Sequence, residues 1–548
     1  MEAAPLESDI VPEPPLAPEP PAFSWRVLLR WCWPALLAGL GLRIALMVSM
    51  PYGYVQYDSA DYLITTDHLI EHHQFYVHKK RSFLTPALFS AAFLLPVPAT
   101  ITIAVAQHLM GLVATLVVGA LVRLWFRFWR IAIIPLTLLF ATNPSLIWYE
   151  HTIMGEAQYL FFTLILILAG TLFVLSPTRR RLIWFLVSLV LVSGTRLEAK
   201  TLYLFAFILL CWTLRENWKR LAAGLGAMAA VYVIAFHYSG DRDVGPLVYA
   251  SFLRFAPDHS KSTPEIMPSI VPLQYKARKM STRYPVQLVR LSKYVSNAVE
   301  DFVAARVKKE NDRRVASARI LRNLCLETLE AEPAQVLLIP WVKFRLAIDA
   351  WTSYCFDEKT LLPNQVAAFT RSEWMTLVLG RGLTGQTLAL DQIGPWVAQH
   401  HDPQRLIWFT SYQAFWGRQL THFRLPDHPL GEKRWVHDFY GGIGNAHYML
   451  PGIPWFYILA GVGMIVAVFR RTPAQAVHLA WVPTILGGLY VTAMIGVTNG
   501  RFRFVYEPFF FIYVVFLGDW LLGLFRRGST ASEVDGTHPG PTKKSVQS

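Results

Sequence analysis

Ten apolar segments dominate this 548-residue chain and leave few folds open to it. A helix needs about 20 apolar residues to cross a bilayer, and hydrocarbon accepts a backbone only when its polar groups are bonded within the segment. The composition agrees, with 53% apolar and 16% charged residues and a mean hydropathy of +0.34. The sequence therefore predicts an all-α polytopic membrane protein. Its predicted spans lie at about 31–50, 99–122, 131–146, 156–175, 182–195, 201–214, 221–238, 452–469, 478–497 and 504–525.

The net charge of +14 does not indicate a nucleic-acid partner. Arg and Lys are spread over short loops between the apolar segments instead of gathering on one soluble domain. The four cysteines form no CxxC pair and show no regular spacing with histidines, so neither a zinc site nor a disulfide framework is predicted.

Basic residues mark every second loop, and this alternation predicts the sidedness of the chain. Loops rich in Lys and Arg stay on the cytoplasmic side. Such clusters occur at Arg26 and Arg30, at Arg123, Arg127 and Arg130, at Arg179 to Arg181, at Arg215, Lys219 and Arg220, at Arg470 and Arg471, and at Arg526 and Arg527. Both termini are therefore predicted to be cytoplasmic. The outward loops are then 51–98, 147–155, 196–200, 239–451 and 498–503.

This topology divides the chain into five regions. We predict a disordered cytoplasmic tail, an N-terminal membrane domain with a catalytic first outer loop, a large and mainly helical extracytoplasmic module, a set of C-terminal spans, and a second disordered tail. Their bounds are 1–23, 24–238, 239–451, 452–527 and 528–548. Segment 83–96 is too short to cross and ends in proline, so it is predicted to be an interfacial or re-entrant helix.

The outer module has helical periodicity over 300–333, with charges on one face. The apolar stretch that follows at 334–351 is interrupted by Pro340, Lys343, Arg345 and Asp349. An amphipathic helix on the membrane surface is favoured there over a further span.

Two acidic residues, Asp58 and Glu156, stand at the outer ends of apolar segments. If a helix follows Pro51, Asp58 shares one face with Asp61 and Tyr62, three and four positions later. Either acid has an ordinary explanation, Asp58 as a helix N-cap and Glu156 as a first-turn acid favoured by the helix dipole. Their common side of the membrane favours a catalytic role.

Outward-facing cations lie near these acids, on the side where positive charge is not expected in short loops. They are Lys79, Lys80, Arg81, Arg196, Arg501 and Arg503. They suit either anionic lipid headgroups or a clamp for a phosphate group. Arg196, Glu198 and Lys200 stand between two short apolar segments, at a depth where charges persist only if they line a cavity or pair with each other.

These motifs resemble the GT-C superfamily of integral-membrane glycosyltransferases, which use polyprenyl-phosphate sugars and include aminoarabinose transferases and protein O-mannosyltransferases. The resemblance covers about 30–215 and 318–525. It rests on the acid and tyrosine at Asp58 and Tyr62 with Arg81 and Pro86, on Asn143, Pro144 and Glu156, on the GTRLEA turn, and on RFRFVYEP from Arg501 to Pro508. The region at about 240–317 has no counterpart in it, and we expect that region to help choose the acceptor.

The resemblance implies a GT-C-type bundle and a role for each candidate residue. Asp58 is the expected general base, with Asp61 as the alternative, and Glu156 would orient the acceptor or steady positive charge on the sugar, a role exchangeable with that of Asp58. The donor phosphate would be bound by Lys80, Arg81, Arg196, Arg501 and Arg503, and the substrate contacted by Tyr62 and Glu198.

The expected reaction is an inverting sugar transfer from a polyprenyl-phosphate donor to a glycan, lipid or protein acceptor outside the cytoplasm. No cofactor is required, and a divalent metal is possible but not indicated. The sequence holds no glycosylation sequon except the proline-blocked one at Asn143, which favours a bacterial inner membrane. Two alternatives stay open, a polysaccharide ligase or polymerase with a lipid-diphosphate donor, and a lipid or solute transporter.

Overall fold

The computed structural model describes residues 24–49, 53, 59–71, 73, 81–95, 97, 99–237, 260–273, 286–331, 333–334, 454–494 and 505–534. Its regular elements in these ranges are helices, without a β-strand. The membrane part of the N-terminal half contains α1 (Trp25–Ser49), α2 (Ser59–Glu71), α3 (Leu84–Phe93), α4 (Ala99–Trp125), α5 (Trp129–Ala141), α6 (Pro144–His151), α7 (Glu156–Leu175), α8 (Arg179–Ser193), α9 (Leu202–Leu214) and α10 (Trp218–His237). Later follow α11 (Val286–Ala304), α12 (Glu310–Ala331), α13 (Pro454–Phe469), α14 (Gln475–Met494) and α15 (Glu507–Val534).

Each of the ten predicted spans contains one of these helices, so their helical character is confirmed. Among the described residues, five helices are long and apolar enough to cross a membrane by themselves, and two further apolar helices are shorter. The long ones cover Trp25–Val48, Ile101–Trp125, Glu156–Leu175, Trp218–Ala235 and Glu507–Phe525. The all-α membrane architecture is thus established, while the number of crossings stays a prediction.

Helices α1, α4 and α5 form a tightly packed group because small residues let their backbones approach. A Cβ at Gly119 of α4 would lie 2.5 Å from the Cys32 sulfur of α1. A Cβ at Gly39 of α1 would lie 3.0 Å from the Ala141 Cβ of α5. The core continues through α7, α8 and α9, where Phe173 stacks on Phe185, and Phe185 meets Phe205 edge to face.

The connection between α5 and α7 contains a helix that the sequence did not predict. Segment 147–155 was expected as an outer loop, but α6 occupies most of it. Asn143 caps this helix by accepting a hydrogen bond from the Leu146 N–H at 3.2 Å, and Pro144 occupies its first position, where the missing N–H costs nothing. Glu156 then opens α7, as predicted.

Helix α3 has the extent predicted for the short segment 83–96. At about 1.5 Å per residue its ten residues cannot cross a bilayer. The Leu84 N–H donates to the Gly194 carbonyl at 2.8 Å, which ties α3 to the turn that follows α8.

Buried or partly buried charged groups lie at both ends of the helices. At one end, Asp519 of α15 accepts hydrogen bonds from the Phe128 N–H at 2.7 Å and from Arg470 at 3.1 Å. At the other end, Glu156 meets Arg196. The compartment that each end faces stays a prediction.

Helices α11 and α12 form a second apolar cluster with the segment at 260–273. Val295, Val299 and Val303 of α11 pack there against Leu321 and Leu324 of α12. The helical periodicity over 300–333 predicted one helix, whereas the structure has a break at 305–309 that lets the two helices pack together.

Helix α15 continues to Val534, into the first residues of the predicted tail 528–548. No proline stops the helix before Pro539. The tail 1–23, residues 335–351 of the segment 334–351, and the rest of the second tail lie outside the described residues. The division into five regions therefore stays a prediction.

Candidate functional site

Glu156 lies at the N-terminus of α7, buried among closely packed side chains. Its side chain is 1% exposed. The preceding Gly155 has room for no side chain without a shift, because a Cβ there would lie 3.1 Å from the Tyr62 hydroxyl and from the Thr85 hydroxyl. The α2 and α3 helices thus close around the start of α7.

Arg196 joins Glu156 to a second carboxylate. One guanidinium nitrogen, Nη1, lies 2.5 Å from Oε1 of Glu156. Nε and Nη2 donate to the two carboxylate oxygens of Glu198 at 3.1 and 3.0 Å, a bidentate pair. Arg196 is extended and precedes a 3-10 turn, Leu197–Thr201, which brings Glu198 directly beside it. Arg196 and Glu198, two of the three charges between the short apolar segments, thus pair with each other.

The electrostatics of this group keep its charges ionised. Burial by itself would lower the pKa of Arg196, but the carboxylates of Glu198 and Glu156 raise it well above its usual range. Burial would also raise the pKa of Glu198, yet the Arg196 charge and its hydrogen bonds lower that pKa to about 2. Arg81 adds to the lowering. The Glu198 side chain is still 27% exposed, in contrast to Glu156.

Aromatic side chains frame the charged group. The Arg81 guanidinium lies 4.8 Å from the centroid of the Tyr62 ring, and that of Arg196 lies 6.0 Å from the Tyr159 ring. Tyr506, just before α15, is buried beside Tyr159.

Five of the ten predicted site residues have described side chains, and these five come together. They are Tyr62, Arg81, Glu156, Arg196 and Glu198. Asp58, Lys80, Arg501 and Arg503 lie outside the described residues, as does Lys79. Asp61 is in α2, but its side chain is outside the described part. The catalytic and binding roles of all ten stay predictions.

Sequence reasoning missed two parts of the neighbourhood. It did not single out Tyr159 and Tyr506, which line the Arg196 group. It also missed a buried charged network centred on Arg43 of α1, whose only sequence signal is an arginine inside an apolar segment.

The site offers guanidinium groups and carboxylates but no evident metal cage. In the ranges that the structure describes, no group of three His, Cys, Asp or Glu side chains is arranged to hold a metal ion. Arginine side chains bind anionic ligands well, but an anionic ligand at this site must compete with the carboxylates that the arginine already binds. Glu198 is the easier of the two to displace, because it is the more exposed.

Comparisons with known proteins give limited similarity. No protein-family model matches the chain, and no curated protein matches it. Among solved structures, it is similar to ArnT from Cupriavidus metallidurans bound to undecaprenyl phosphate, with 15% identity and a TM-score of 0.32 over 85% of this chain and 77% of that one. The apo form of ArnT gives 13% identity and the same TM-score of 0.32, over 83% of this chain and 85% of that one.

Proposed function

We propose that the chain is a membrane glycosyltransferase that moves a sugar from a polyprenyl-phosphate donor to an acceptor outside the cytoplasm. The observation that carries this proposal is the Arg196 group, a buried arginine between two carboxylates at the start of α7, a helix of membrane-spanning length. Charges at such a depth mark a functional site, and an arginine suits a phosphate group. The predicted setting is a bacterial inner membrane with the site on its outer face.

The donor phosphate is proposed to replace Glu198 at Arg196. An incoming phosphate meets Arg196 from the side of the partly exposed Glu198, while the buried Glu156 keeps its contact with the guanidinium. Arg81, which acts electrostatically on Glu198, supplies a second positive charge. Lys80, Arg501 and Arg503 complete the proposed clamp on sequence grounds. Because arginines neutralise the phosphate, no metal is required in this scheme.

The sugar transfer is proposed to proceed by one displacement. The acceptor hydroxyl attacks C1 of the sugar, and its proton passes to Asp58, or to Asp61 as the alternative. The bond between C1 and the phosphate oxygen breaks, and its electron pair leaves with the polyprenyl phosphate. A single attack inverts the configuration at C1. Glu156, fixed by Arg196, lies ready to orient the acceptor or to steady positive charge on the sugar.

The assay for this proposal uses the full chain in lipid vesicles with a polyprenyl-phosphate sugar. Asp58→Asn is expected to abolish transfer while the protein still inserts and still binds polyprenyl phosphate. Asp61→Asn is the matched variant that separates the two candidate bases. Full activity of Asp58→Asn would refute its assignment as base, and transfer from a lipid-diphosphate donor alone would support the ligase or polymerase alternative.

A further inference from the structure

A second buried charged network lies in the membrane part of the chain, outside the Arg196 group. Arg43 of α1 donates from Nε and Nη2 to the two oxygens of Glu150 in α6, at 2.7 and 2.6 Å. Its Nη1 donates to the Gly39 and Ala141 carbonyls, both at 2.9 Å. The Arg43 and Glu150 side chains are 2% and 0% exposed. The Ala141 carbonyl ends α5, so this one arginine joins three helices.

Two histidines extend the network. Nδ1 of His108 in α4 lies 2.9 Å from Oε2 of Glu150, and its Nε2 lies 3.2 Å from Nδ1 of His151. Because the carboxylate accepts from Nδ1–H, a neutral His108 presents Nε2 as an acceptor for the N–H of His151. This directional chain fixes both imidazole rings.

Glycines make the space for this network. A Cβ on Gly111 of α4 would lie 1.7 Å from Oε1 of Glu150 and 2.8 Å from Nη2 of Arg43. A Cβ on Gly39 of α1 would lie 2.9 Å from Nη1 of Arg43. Helices α4 and α1 thus each have a glycine beside the Arg43–Glu150 ion pair, and these glycines leave the volume that the pair occupies.

The network holds the segment that leads directly to Glu156. Glu150 and His151 end α6, and four residues separate His151 from Glu156 at the start of α7. Gln107, next to His108 in α4, donates to the Thr152 carbonyl at 3.2 Å and to the Met154 carbonyl at 3.1 Å.

From these contacts we propose that Arg43, Glu150, His108 and His151 form a positioning network for Glu156. It sets the α6–α7 turn, and through that turn the place of the Glu156 carboxylate against Arg196. This inference rests on the proposed function for its kinetic consequence, but its structural consequence is independent of any activity. The four residues are positioning residues, because nothing places them against substrate.

The test removes the network without leaving a buried charge. The double variant Arg43→Met/Glu150→Leu replaces the pair with apolar side chains of similar size, an exchange that buried ion pairs often tolerate. We expect kcat of sugar transfer to fall about tenfold to hundredfold, as misplacement of a reacting group does, with the donor KM within about twofold of wild type. Hydrogen exchange at 150–156, followed by mass spectrometry in the same lipid nanodiscs, is expected to become faster.

Arg470→Met is the matched control, since it breaks an ion pair at the opposite end of the bundle and should change neither readout. Wild-type kcat in the double variant, or unchanged exchange at 150–156, would overturn the proposal. If the wild-type chain transfers no sugar, the proposed function fails and the exchange measurement alone decides. If the double variant does not fold, His108→Asn takes its place. This variant keeps a hydrogen-bond donor for Glu150 but does not reach His151, and it is tested by the same measurements of kcat and of hydrogen exchange at 150–156.

Discussion

Two buried arginines in the same bundle are held in different ways. Arg43 makes four hydrogen bonds to a carboxylate and two backbone carbonyls, all of them enclosed. Arg196 binds Glu156, which is also enclosed, and Glu198, which is 27% exposed and sits in a short 3-10 turn. Both arginines are compensated, but only Arg196 has a partner that solvent or a ligand reaches.

We propose that this difference in exposure separates an ion pair with a structural role, at Arg43, from one whose carboxylate a ligand replaces, at Arg196. The Arg43 and Glu150 side chains are 2% and 0% exposed, and the cavity that Arg43 and His108 line between α1 and α4 is otherwise apolar. The Glu198 side chain is 27% exposed. We therefore propose that a phosphate binds at Arg196 and not at Arg43. The four following predictions test this contrast, in order of decreasing effect.

The largest effect is expected from Arg43→Met alone. It leaves the Glu150 carboxylate buried without its cation, and such a loss costs about 3–5 kcal/mol of unfolding free energy. Adding Glu150→Leu should restore most of that stability. Denaturant unfolding of the protein in detergent measures both. Equal stability of wild type and Arg43→Met would show that the pair is not enclosed as described.

Gly111→Ala should destabilise by about 1–3 kcal/mol, because its new Cβ overlaps the Glu150 carboxylate. Gly41→Ala is the matched control in α1, where a Cβ meets nothing within 4 Å. The same unfolding experiment compares them. Similar stability of the two variants would contradict the tight fit around the network.

Glu198→Gln is expected to tighten the binding of polyprenyl phosphate severalfold. It removes the carboxylate that competes with the phosphate, and a partly exposed ion pair contributes about 1 kcal/mol or less. Glu156→Gln should leave the donor affinity nearly unchanged but lower the rate of transfer. Titration of each variant in nanodiscs with polyprenyl phosphate distinguishes the two effects. Weaker binding of polyprenyl phosphate by Glu198→Gln would refute the proposal that the phosphate replaces Glu198 at Arg196.

The smallest effect concerns pH. A carboxyl group whose pKa is lowered on folding stabilises the protein above its unfolded pKa, and the stabilisation is lost as the pH falls through the folded pKa. For Glu198 these values are 4.5 and about 2. The stability difference between wild type and Glu198→Gln should therefore stay constant above about pH 6 and shrink only at lower pH. A change between about pH 6 and 8 would contradict the assigned ionisation.

The sequence singled out Glu156, Arg196 and Glu198 because their signals are local, while their roles stay predictions. Glu156 opens an apolar segment, and Arg196 and Glu198 are two residues apart between short helices. The Arg43 network was not predicted because its partners are distant in the sequence, with Arg43 and Glu150 107 positions apart. Glu150 was assigned to a loop, and only the tertiary packing of α6 against α1 and α4 brings it to Arg43.

Donor binding by two matched double variants tests the central claim most directly. Arg196→Met/Glu198→Leu and Arg43→Met/Glu150→Leu each remove one arginine with one carboxylate and keep the net charge. Calorimetric titration of the full chain in nanodiscs with undecaprenyl phosphate should give at least about tenfold weaker binding for the first and a Kd within about twofold of wild type for the second. Unchanged affinity in the first variant, or an equal loss in both, would contradict the assignment of Arg196 as the phosphate-binding arginine.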